Sequence, residues 1–119
     1  MSYFIRAVTR PKNKRKADTL KDWLRDFTEQ LPTSHPVRLS RHALPYYGDC
    51  ELREGKGGKF FRIRIAKHLD KDAAFLVLAH EYAHALAHYI EPDPDDHGAA
   101  FGLAYAATWA IVCGEADPE

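Results

Sequence analysis

The stretch Ala73-Ala74-Phe75-Leu76-Val77-Leu78-Ala79-His80-Glu81-Tyr82-Ala83-His84, with His97-Gly98-Ala99-Ala100-Phe101 after an intervening loop, decides how the rest of the chain is read. The apolar lead-in predicts a helix, and that helix carries an H-E-x-x-H sequence. Residues four apart on a helix share a face, so His80 and His84 can grip one metal ion together. Glu81 is turned by about 100° from His80, at about 3.6 residues per turn, and can reach a water on that ion. His97 offers a third imidazole. Two histidines on one helix, a base between them and a third histidine are the parts of a hydrolytic zinc site with one open position.

The surroundings of the motif favour a metal over chance. Ala83, Leu86, Ala87 and Ile90 continue the helix. It is apolar almost all round, as suits a helix buried in a domain. Two histidines and a glutamate facing inward there would cost several kcal/mol unless something satisfied them, and a metal ion does so. The competing reading is a pair of ordinary core or solvated histidines.

The chain has 119 residues, enough for one domain with a single modest core. Hydrophobic residues make up 45% and charged residues 29%, with zero formal net charge, so nothing in the balance selects nucleic acid or a membrane surface as partner. No apolar run approaches the roughly eighteen residues of a membrane span. The N-terminus, Met1-Ser2-Tyr3-Phe4-Ile5-Arg6, lacks the apolar region and cleavage site of a signal peptide, so a cytoplasmic location is expected. Cys50 and Cys113 follow no metal spacing and are expected as reduced thiols. A monomer is the default expectation.

Around the motif the elements fall into order. Residues 3–9 alternate weakly, as a short strand or arm, and the basic run 10–16 follows. That run reads as a solvated loop, with a nucleic-acid contact as the sharper alternative. A first helix is expected over residues 17–30, where Leu20, Trp23, Leu24, Phe27 and Leu31 form one apolar stripe; Lys21, Asp22, Arg25, Asp26 and Glu29 take the other faces. Pro32 ends it. Residues 37–39 suggest a first strand and 46–54 a second. Gly55-Lys56-Gly57-Gly58 is a turn. In the strand 59–67, Phe61, Ile63 and Ile65 point one way and Arg62 and Arg64 the other, giving a hairpin with an exposed cationic face. Asp70 or Asp72 caps the motif helix, which runs to about residue 90. After a Pro- and Asp-rich loop, a last helix over about 98–113 is rich in small residues that allow close helix–helix approach.

His97 is the expected third ligand, because the chain has reversed direction before it. His88 is the rival; it shares a face with His84 but lies about 12 Å from His80 along the axis, too far for one ion to take all three readily. Glu91 is a weaker rival, and His35, His42 and His68 read as polar surface. Asp96 either hydrogen-bonds a ligand imidazole or caps the last helix. Tyr105 is either core or a donor to a developing oxyanion.

H-E-x-x-H on one helix and H-G-x-x-F opening the next resemble the zincin metallopeptidases, and among them the small SprT-like proteins. The similar order of elements spans residues 17–113, and its specific part is 80–101. The resemblance implies an α+β fold: an N-terminal helix on a small, mainly antiparallel sheet, then the H-E-x-x-H helix and a C-terminal helix bearing the third ligand. It implies zinc on His80, His84 and His97, with Glu81 as general base and a protein or peptide as substrate. Strand 59–67 takes the place of the strand that pairs with an extended substrate in such peptidases, where Arg62 and Arg64 would favour acidic residues. Two readings stand beside this one. One is a metal-stabilised binding module without turnover, contacting nucleic acid or a protein. The other is a zinc hydrolase acting on a non-peptide amide.

Overall fold

A computed structural model describes residues 19–114. The expected strand or arm over 3–9 and the basic run 10–16 lie outside the described residues. The elements are helix α1 (Leu20–Gln30), strands β1 (Val37–His42), β2 (Gly48–Gly55) and β3 (Gly58–Ala66), and helices α2 (Lys71–Ile90) and α3 (Ala99–Cys113). This is a small α+β fold.

Helix α1 starts where its capping chemistry places it. Thr19 has extended backbone, and its hydroxyl accepts from the Asp22 N–H at 3.1 Å, so the helix begins at Leu20 rather than at the expected residue 17. Phe27 and Leu31 of the apolar stripe are fully buried. Asp26, expected on a polar face, is buried too, because it borders the stripe one position before Phe27. Burial raises its carboxyl above the usual range, and its Oδ2 has no hydrogen-bond partner among the described residues.

The sheet has the order β1-β3-β2. The β2–β3 pairing is the expected antiparallel hairpin: Gly55 faces Gly58, and Gly58 takes the φ of +114° that the turn requires. β1 instead runs parallel to β3, from Val37 opposite Phe61 to His42 opposite Ala66. The sheet is therefore mixed, not mainly antiparallel. The hairpin inserts its second strand between β2 and β1, so β2 runs opposite to β1 and β3 runs with it. The same order corrects a second expectation. β3 is the central strand with both edges filled, so it cannot accept a substrate strand. Among the described residues, the free edges belong to β1 and β2.

Alternation along β3 fixes which face is covered. Phe61, Ile63 and Ile65 are fully buried and join the core built with Phe27, Leu31, Leu78, Tyr82 and Leu86. Arg62 and Arg64 face the other way, but this is not an open cationic surface. Arg62 pairs with Glu51 at 2.7 Å, and Arg64 grips Asp49 through two guanidinium nitrogens. Opposite charges directly across neighbouring strands attract, which explains both pairs.

Helix α2 is capped by Asp70, whose carboxylate accepts from the Ala73 N–H at 2.8 Å; Asp72 sits exposed in the first turn. The buried Tyr82 hydroxyl donates to the Leu31 carbonyl and ties α2 to the end of α1. Gly48 permits α2 to lie close on β2: a Cβ there would stand 2.7 Å from both Val77 Cγ1 and the Arg64 carbonyl oxygen. Of the small residues in α3, Ala100, Ala104 and Ala107 are buried in the core shared with α2, whereas Ala99, Gly102 and Ala106 are exposed, so only part of that pattern serves helix approach. Gly114, at φ 67°, ends α3 in the left-handed conformation. Among the described residues, no helix is long and apolar enough to cross a membrane.

Candidate metal centre

The three expected ligands converge. His80 and His84 come from successive turns of α2, and His97 is delivered by the last residues of the loop before α3. His80 Nε2 lies 3.3 Å from His84 Nε2 and 3.4 Å from His97 Nε2. One ligand atom from each of the three falls within 4.8 Å of the others. Nitrogens about 2.0–2.1 Å from a tetrahedral zinc stand about 3.3–3.4 Å apart. Two of the three separations, both from His80, thus match the edges of such a tetrahedron, and a set of three imidazoles suits zinc.

The rings are held from two sides. Phe101 packs against all three, with centroid distances of 5.1 Å to His80, 4.5 Å to His84 and 4.9 Å to His97. Asp96 stands behind two of them: its carboxylate is 3.4 Å from His97 Nδ1 and 3.8 Å from His84 Nδ1. A carboxylate at Nδ1 favours the tautomer that leaves Nε2 free for a metal. Asp96 therefore belongs beside the ligands; Gly98, not Asp96, is the cap residue of α3.

Burial favours the neutral form of two of these imidazoles. Burial, with His80 as a like-charged neighbour, pushes His84 down to about 4; burial and then His97 lower His80. A metal takes imidazole only in its neutral form, so these shifts remove proton competition near pH 7. Glu81 is buried next to His80, and burial, followed by the charges of Asp49 and Asp96, pushes its carboxyl up to about 7.

A cleft of about 440 Å³ opens beside the cluster, and His80 and Glu81 line it. Tyr46, Tyr47, Leu76, Val77 and Tyr105 form its walls. Tyr105, expected as core or oxyanion donor, stacks on Phe101 at 5.3 Å and meets the His80 ring edge-on at 5.6 Å. Arg62 and Arg64 do not line the cleft. His88 is not part of the cluster; its ring packs on Phe61 at 5.2 Å. Tyr46, Tyr47 and Leu76 were not singled out by sequence reasoning. The tyrosines lie in a segment read as strand, and Leu76 belongs to a run whose every residue looks like core.

No protein-family model, no curated protein and no solved structure matches this chain.

Proposed function

We propose that the chain is a zinc-dependent metallopeptidase of zincin type. The observation that carries the proposal is the meeting of three imidazoles, with ligand nitrogens within 4.8 Å of one another, beside a buried glutamate that lines an open cleft. A purely structural zinc site has four protein ligands and no use for such a base.

His80, His84 and His97 would hold the ion. The zinc would supply Lewis-acid chemistry there, activating a water and polarising the scissile carbonyl. Glu81 takes a proton from the attacking water at its carboxylate oxygen and returns it to the leaving amine nitrogen. Tyr105, whose ring meets that of His80, would donate its hydroxyl to the developing oxyanion. Asp96 and Phe101 keep the imidazoles in place. The extended substrate adds to the free edge of β2, whose first residue, Gly48, lies at the cleft; main-chain hydrogen bonds along that edge hold it in register.

Glu81→Gln tests this reading. The variant should bind zinc as the wild type does and lose peptide hydrolysis by several orders of magnitude. Hydrolysis that survives the substitution would refute the mechanism.

A further inference from the structure

The walls of the cleft carry more information than the metal centre requires. Leu76 is 51% exposed and Tyr47 67% exposed, large apolar surfaces left open to water at the rim. Scattered single side chains of this kind are ordinary, but these share one concavity with Val77 and Tyr105. No lysine, arginine or aspartate lines it; besides its tyrosines, its titratable lining is His80 and Glu81.

Tyr46 is the one wall residue whose hydroxyl is fully engaged. It donates to Asp49 Oδ2 at 2.7 Å and accepts from Arg64 Nη2 at 2.9 Å. Arg64 and Asp49 are themselves joined across β3 and β2 by a two-nitrogen grip. With both hydrogen-bonding directions used, the ring is what Tyr46 can offer to a ligand. The clamp therefore presents an aromatic face to the cleft in a fixed orientation.

We propose that this cleft is the specificity pocket of the site, taking a large apolar side chain, aromatic or leucine-like, from the peptide residue next to the scissile bond. Arg64 and Asp49 are positioning residues that act through Tyr46. The inference rests on the peptidase reading and names the class of substrate. Two features commit the occupant to a peptide side chain. The cleft is lined by His80 and Glu81, and the β2 edge that begins at Gly48 is unpaired on its outer side among the described residues, so an extended main chain added there would direct alternate side chains toward the cleft.

The test separates binding from turnover. Zinc-loaded Glu81→Gln protein is titrated with fluorescent peptides in which Phe, Leu, Ala or Asp is moved along an otherwise constant sequence. At one position, Phe and Leu peptides should bind about tenfold or more tightly than the Ala peptide, with Asp the weakest. Tyr46→Ala and Leu76→Ala, each made in the Glu81→Gln background, should bring the Phe-to-Ala ratio toward one. Leu76 is exposed, so its loss leaves the fold intact. Arg64→Leu should lower the ratio partly, and adding it to Tyr46→Ala should lower it no further, as expected of a residue acting through Tyr46. A flat ratio at every position, no measurable binding of any peptide, or a ratio untouched by both wall variants would overturn the pocket. Cleavage of these peptides by wild type with a flat ratio would leave the peptidase and remove the pocket; a strong ratio with no cleavage would do the reverse.

Discussion

His97 Nε2 lies 3.4 Å from His80 Nε2, although the two residues are 17 positions apart in sequence. The approach depends on buried Ala100, Ala104 and Ala107 letting α3 settle against α2, and on the intervening loop turning the chain back. Fold and candidate metal centre thus rest on the same helix pair.

Asp96 is 83% exposed, and its carboxylate faces Nδ1 of both His84 and His97. Asp96→Ala should leave the fold unchanged and weaken zinc binding by about 10–100-fold. Competition with a chromophoric chelator measures this; unchanged affinity would remove Asp96 from the site.

The Tyr82 hydroxyl bond to the Leu31 carbonyl joins two helices inside the core. Tyr82→Phe strands that carbonyl and should destabilise the protein by about 1–3 kcal/mol. Urea denaturation of the zinc-free protein reads it without interference from metal linkage; a midpoint equal to wild type would contradict the bond.

Arg64 holds the Asp49 carboxyl below its ordinary range, chiefly by their hydrogen bond. A lowered folded pKa stabilises above the unfolded value of about 3.9, and the contribution fades as pH falls through the lower folded value. The stability advantage of wild type over Asp49→Asn should therefore be full above about pH 5 and shrink below about pH 4. An advantage that grew on acidification would contradict the pairing.

Burial, with Glu81 and Asp49 nearby, pushes the Cys50 thiol up to about 12, whereas Cys113 is an exposed free thiol. A thiol reagent at pH 8 should titrate Cys113 at once and Cys50 only on denaturation. Simultaneous reaction of both would show β2 and its cover to be open.

Local periodicity made much of this legible in sequence. His80 and His84 follow from helical spacing, the buried face of β3 from its alternation, and α1 from its stripe. Strand order did not, because β1 and the β2–β3 hairpin meet through pairings between distant segments that no local pattern encodes. That is why β3 looked like a substrate-pairing strand when it is central. Arg62 and Arg64 looked free because their partners, Glu51 and Asp49, lie across the hairpin. Tyr46 and Tyr47 gave no signal because their role comes from where the segment before β2 passes α2.

The measurement that bears most directly on the central claim is elemental zinc analysis of wild type and His97→Ala, purified without added metal. The account predicts about one zinc per wild-type chain and a sharp fall in the variant. Wild-type protein that stays metal-free even when zinc is supplied would contradict it and leave His80, His84 and His97 as packing residues around Phe101.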